Sequence, residues 1–199
     1  MTQLQAAAEK LYSECFRLKR NEKVLIVTDQ GREKIVQALE KAALKKGAKV
    51  EKIKLDPKRH NSAPTPKAEK AFSKANIIVA PTEKSISHSP QTRKARKKGA
   101  RVASMPTITD KQFIKAMSAN FSKIRKTCKK LKKTLDKAKT IKIKAKNCTH
   151  MIFEMNNRKF FCDNGELWKK GTLSNIPFGE ICSAPVNSWG ILFPTTLQN

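Results

Sequence analysis

In a chain where 30% of residues are charged, Val24-Leu25-Ile26-Val27 and Ile77-Ile78-Val79-Ala80 are short continuous runs of aliphatic residues. A strand with one wet face alternates apolar and polar residues. An uninterrupted run must instead be covered on both faces, which is the habit of a parallel sheet sandwiched by helices. Val50, Ile53 and Leu55, and then Ala100-Arg101-Val102-Ala103-Ser104, fit two further strands.

The segments between these runs have helical spacing. Leu4, Ala7, Ala8, Leu11, Cys15 and Leu18 share one face of a helix over 2–20. Ile35, Ala38, Leu39, Ala42 and Ala43 do the same over 31–46, and Gly47 stops that helix. Shorter helices are expected over 67–74 and 90–98. Asp56-Pro57, Asn61-Ser62 and the prolines at 64 and 66 mark 56–66 as a loop. Strands alternating with helices predict an α/β fold with a parallel, doubly wound sheet. Ligands in such sheets sit beyond the carboxyl ends of the strands, here Thr28-Asp29, Pro81-Thr82 and Ser104-Met105.

Residues 110–138 read as one long amphipathic helix, with Phe113, Met117, Phe121, Ile124, Cys128, Leu131 and Leu135 as its stripe. Beyond it the period changes to two: Ile141 and Ile143 alternate with Lys142 and Lys144. Residues 151–162 read as a hairpin turning at Asn156-Asn157, and Ile181–Val186 as a further strand. The apolar Trp189–Phe193 stretch is expected to leave an unpaired edge. The expected organisation is therefore an α/β N-terminal domain (1–109), a connecting helix (110–138) and the β-rich beginning of a second domain (139–199).

Charge bounds the partners. Lys and Arg total 43 against 16 Asp and Glu, a formal net charge of +27. Such a balance favours solubility and non-specific attraction to nucleic acid. The excess is mostly Lys, which lacks the forked contacts of Arg, and aromatics for base stacking make up only 6%. A basic nucleic-acid-binding or partner-binding module is the alternative this composition raises, and the long helix or an open β edge offers a surface for a homodimer. The five cysteines are odd in number and form no C-x-x-C pair, which points to free thiols in a reducing compartment. No apolar run approaches the ~18 residues of a membrane span. A cytoplasmic protein without a membrane partner is expected.

Nucleotide and hydrolase signatures are missing. There is no G-x-G-x-x-G, no P-loop and no G-x-S-x-G elbow. His60, His88 and His150 stand far apart, and His88 is notable only for its place just past a strand end. The stretch Asn175-Ile176-Pro177-Phe178-Gly179-Glu180 is different: a Pro and a Gly bracket an acid immediately before an apolar strand. A carboxylate held at a turn is a good hard ligand for a divalent cation.

That stretch, continued through Ile181-Cys182-Ser183-Ala184-Pro185, resembles the N-[LI]-P-x-G-E-[VI]-x-x-A-P element of the thermophilic metallo-aminopeptidases, the aminopeptidase T-like family. Pro81-Thr82-Glu83-Lys84-Ser85-Ile86-Ser87-His88 resembles its P-T-x-x-S-x-S-H loop. Gly99–Pro106 with Ile108-Thr109 resembles its G-A-R-[IV]-A-S-[LM]-P-x-I-T element, and Asp163-Asn164-Gly165 its D-x-G. The resemblance implies an N-terminal α/β domain, a C-terminal catalytic domain with two divalent metals (zinc, cobalt or manganese), a peptide substrate and release of N-terminal amino acids. It assigns Glu180 as a metal ligand. The family's other ligands, a Glu, a His and an H-x-D pair, have no counterpart here, and Asn187 stands where the family often has Glu. One carboxylate does not hold a catalytic ion, which needs about three protein ligands. The chain is therefore expected to be an incomplete, inactive portion of such an enzyme.

Overall fold

The computed structural model describes residues 2–55 and 66–192. Residues 56–65 of the loop expected over 56–66, and the end of the chain from Phe193, lie outside the described residues. The chain divides into two compact units: Met1–Phe121 with Asn164–Phe178, and Ser122–Asp163 with Gly179–Asn199.

Unit 1 is built on a five-stranded sheet in the order β2-β1-β3-β4-β8, every neighbouring pair parallel. Its strands are β1 (Lys23–Thr28), β2 (Lys49–Lys54), β3 (Ile77–Ala80), β4 (Arg101–Ser104) and β8 (Leu173–Asn175). Its helices are α1 (Gln3–Lys10), α2 (Glu33–Lys45), α3 (Pro66–Lys74), α4 (Pro90–Lys97) and α5 (Asp110–Ser118). The two aliphatic runs become β1 and β3, side by side in the middle of the sheet and buried throughout. The α/β expectation is thus met. On one face Leu25, Val27, Ile78, Ala80 and Val102 pack with Phe72 of α3 and Ala95 of α4. Burying each large aliphatic chain contributes about 1.5–3 kcal/mol. Strand β2 at the edge is half-exposed, as its lysines require.

Local chemistry sets the helix ends. Ser89 accepts from Thr92 N–H at the start of α4, and Thr109 and Gln112 form a reciprocal capping box on α5. Gly47 ends the α2 region at φ +73.

Several elements differ from the sequence reading. The 2–20 helix stops early: α1 gives way to a π-helical turn, Leu11–Phe16, ended by Arg17 at φ 50. The wider turn lets Leu11, Tyr12, Cys15 and Phe16 all face inward. The 110–138 helix is two helices, α5 and α6 (Phe121–Leu135), because Ala119 is extended between them. The Ala119 carbonyl accepts from Lys10 Nζ at 2.8 Å, and Phe121 is buried against Phe178 at a ring distance of 4.8 Å. A stripe that continues in register across such a break cannot reveal it. Strand β8 was not foreseen as a member of the first sheet. Its return places residues 164–178 in unit 1, so the compact units are not the linear partition 1–109, 110–138, 139–199.

Unit 2 holds α6, an antiparallel sheet in the order β10-β6-β5, and a separate β7-β9 pair. The strands are β5 (Thr140–Lys144), β6 (His150–Glu154), β7 (Phe161–Asp163), β9 (Glu180–Cys182) and β10 (Asn187–Ile191). The hairpin joins β5 to β6, not 151–155 to 159–162. Asn156 and Asn157 do turn the chain, at φ 41 and 64, but β7 leaves to pair with β9. The strand expected over 181–186 is shorter: only Ile181 and Cys182 belong to a strand, β9, and β10 begins at Asn187. β10 runs antiparallel to β6 with Trp189 opposite Ile152, and as the outer strand it has its other edge unpaired among the described residues. Asp136, after α6, accepts from Lys132 Nζ at 2.6 Å and from the Phe160 N–H at 2.8 Å.

Candidate functional site

The sheet order places the topological switch point of unit 1 between β1 and β3, since β2 lies to one side and β4 to the other. The residues at its carboxyl edge are Asp29, Arg32 and Glu83. Arg32 bonds Asp29 Oδ1 at 3.2 Å and Glu83 Oε2 at 2.5 Å, while the Glu83 N–H donates to Asp29 Oδ2. A cavity of about 610 Å³ beside them is lined also by Lys54 and Lys84. Asp29 and Arg32 are thus committed to each other, and they tie the two central strand ends together rather than present a free acid or base.

One strand further on, Ser85 Oγ donates to Ser87 Oγ, which donates to Asn175 Oδ1 at 3.2 Å. Ser104 Oγ is buried in the neighbouring register position with no hydrogen-bond partner among the described residues. His88, just past this serine pair, is exposed. The predicted strand ends lie along the carboxyl edge, as expected for a doubly wound sheet.

The residue the sequence singled out lies in unit 2. Gly179 has φ +115, a conformation that favours glycine, and its N–H donates to the Asp163 carbonyl at 2.8 Å. This starts the β7-β9 ladder with Glu180 directly opposite Asp163. Residues directly opposite in an antiparallel pair share a face, with Cβ atoms about 4.5–5.5 Å apart. Glu180 is exposed and Asp163 is 6% exposed. Cys182 shares this face by alternation. Burial, then the carboxylates of Glu180 and Asp163, push its thiol above the ordinary value. The sequence reading matched Asp163 only to a D-x-G. Its role as the partner of Glu180 follows from register, which no local motif encodes.

Two opposed carboxylates repel unless a cation lies between or beside them. They are hard oxygen donors suited to a divalent ion. Yet no group of three or more His, Cys, Asp or Glu side chains able to hold a metal occurs among the described residues. The described residues do not compose a metal centre by themselves.

Comparison with known proteins turns on breadth. The model of the family described as NicX: 2,5-dihydroxypyridine 5,6-dioxygenase matches residues 3–190. The chain belongs to the NicX family. Among solved structures, a 2,5-dihydroxypyridine dioxygenase from Pseudomonas putida KT2440 superposes with a TM-score of 0.72 at 16% identity, covering 91% of this chain and 56% of that one. Wild-type AmpT from Thermus thermophilus, an aminopeptidase T, gives 0.59 at 13% identity, covering 94% and 63%. Both likenesses are of fold. The resemblance to aminopeptidases is thus a structural relation, while the family match names a dioxygenase. No curated protein matches the sequence. This NicX-family chain spans less than two thirds of the length of either solved relative. No described helix is long and apolar enough to cross a membrane, and all five cysteines are free.

Proposed function

We propose that this chain is the scaffold-bearing part of a dihydroxypyridine-dioxygenase-type enzyme and that Glu180, with Asp163 beside it, donates carboxylate oxygen to that enzyme's divalent metal. The observation that carries the reading is the in-register Asp163–Glu180 pair, lying within the residues the family model covers. A 5,6-dioxygenase puts both atoms of O2 onto ring carbons 5 and 6 of its substrate. Oxygen chemistry of this kind commonly uses iron(II) held by two histidines and one carboxylate, with open positions for substrate and oxygen. Glu180 fits the carboxylate place in such a set. Among the described residues no group of three or more such ligands occurs, and the chain alone is expected to be inactive.

The four motifs shared with the aminopeptidases favour a second reading, in which the same glutamate serves a zinc, cobalt or manganese peptidase. Substrate separates the two. The purified chain is incubated anaerobically with iron(II), then given oxygen and 2,5-dihydroxypyridine. In parallel it is given zinc, cobalt or manganese and a leucyl peptide. Neither oxygen uptake nor amino-acid release is expected. Weak manganese(II) binding seen by electron paramagnetic resonance is expected, and Glu180→Gln should remove it. Ring opening by the chain alone would refute the incompleteness. Peptide hydrolysis would replace the dioxygenase reading, and metal binding indifferent to Glu180→Gln would remove Glu180 from the site.

A further inference from the structure

A second cavity, of about 410 Å³, lies in unit 1 between α3 and α4. Its lining is unusual for a gap between two helices. The floor is apolar, from Phe72 and Ala95, which are 1% and 2% exposed. At one end is Gln91, 7% exposed, whose Oε1 is enclosed and has no hydrogen-bond partner among the described residues. At the other end are the exposed Lys97 and Lys98. Lys94 stands between, bridged across the groove to Glu69 at 2.8 Å. That bridge is exposed on both sides and so holds the helices together only weakly.

The spacing is set by the helix. Gln91 and Lys98 are seven residues apart on α4, which is about 10 Å at 1.5 Å per residue. An enclosed carbonyl oxygen without a donor is costly and is the exception in folded proteins. An apolar floor with a few convergent polar groups is how small-molecule sites are built. The basic run Arg93–Lys98 gains a purpose here that a generic charged surface does not give it: three of its lysines line one groove.

We propose that the α3–α4 groove binds a small elongated amphiphile, with an N–H or O–H donor for Gln91 Oε1, a flat apolar body over Phe72 and Ala95, and an anionic group for Lys97 and Lys98. The site is independent of the metal reading of Glu180.

Indole-3-butyrate carries all three features and serves as the probe. It is titrated into the whole, isotopically labelled chain while backbone amide resonances are followed. Saturable shifts confined to α3 and α4 are expected. Gln91→Leu should weaken binding about tenfold or more, the effect of deleting one well-placed hydrogen bond in an enclosed site. Lys97→Gln combined with Lys98→Gln should weaken it and remove its dependence on salt, because the charge contribution is screened. Thermal unfolding of each variant confirms that it is folded. If Gln91→Leu does not fold, Gln91→Met, unbranched and of similar length, takes its place. Three results would overturn the proposal: no shifts at millimolar probe, shifts spread over the lysine-rich faces of both units, or an affinity unchanged by the Gln91 variant.

Discussion

Unit 1 and unit 2 spend their apolar residues differently. In unit 1 the strands β3 and β4 and the Val24–Val27 core of β1 are wholly buried, and Tyr12, Phe16, Phe72 and Phe113 are closed off from solvent. In unit 2 every residue of β10 is exposed, and Ile143, Phe161, Trp189 and Ile191 are each between 46% and 61% exposed. A sheet that keeps its large side chains in water gains little from burial. The two solved structures of similar fold are longer, and this chain covers 56% and 63% of their length. A parallel sheet completes its core with its own crossover helices, whereas a thin antiparallel sheet depends on whatever packs against it.

The largest effect should come from cutting into the drier unit. Ile78 is fully buried at the centre of the sheet, and Ile78→Ala should destabilise unit 1 by about 2–5 kcal/mol in urea unfolding. Ile143 on β5 is 47% exposed, so Ile143→Ala should cost less than about 1 kcal/mol. Equal losses at the two positions would show that unit 2 has a packed core in solution, and the contrast would fail.

What was legible beforehand divides along the same line. The polar-free runs at 24–27 and 77–80 could only be covered strands, so the α/β architecture followed from local pattern. Glu180 stands out in the sequence because Pro177 and Gly179 precede it, and its place as a metal ligand is the proposal made above. The β7-β9 pairing was not legible, because it joins Asp163 to a residue 17 positions later through sequence, 164–178, that belongs to unit 1. Likewise Leu173-Ser174-Asn175 has no strand-like run of apolar residues. It becomes β8 because β4 has a free edge, with Val102 opposite Leu173 and Ser104 opposite Asn175. Register and edge-filling are long-range outcomes, and single-segment periodicity does not contain them. The switch-point bridge of Asp29, Arg32 and Glu83 was half legible: the strand ends were, the mutual commitment of the charges was not.

Thiol chemistry sharpens the contrast by a smaller margin. Cys15 in unit 1 is completely buried, while Cys148 and Cys182 in unit 2 are exposed. Cys162 is partly covered, and burial, followed by the neighbouring Cys128 thiol, pushes it up to about 11. At pH 8 roughly one part in a thousand of such a thiol is ionised, and the thiolate is what reacts. With iodoacetamide on the folded chain, Cys148 should label first by mass-mapped peptides, Cys162 at least about a hundredfold more slowly, and Cys15 only after unfolding. Early labelling of Cys15 would mean that the closed interior of unit 1 opens readily.

The smallest effect concerns the acid that fastens the end of α6. Hydrogen bonds from Lys132, then from the Phe160 N–H, hold the Asp136 carboxyl below its ordinary value of 3.8, with the Lys132 and Lys159 charges adding in the same direction. A carboxyl with a depressed folded-state pKa binds its proton more readily in the unfolded chain. Its stabilisation is therefore complete above pH 3.8 and is lost as pH falls from there through the lower folded value. In Asp136→Asn the amide keeps an acceptor for the Phe160 N–H but loses the charge that faces Lys132. Hydrogen-exchange protection of the 135–160 amides should fall between pH 5 and pH 3 in the parent chain and change less over that range in the variant. Because unit 2 has little buried apolar surface to hold α6 in place, this polar fastening should account for a larger share of its order than any single ion pair does in unit 1. An identical pH response in parent and variant would show that α6 is held by its apolar stripe instead, and that unit 2 is closer to unit 1 in kind than the exposure of its strands implies.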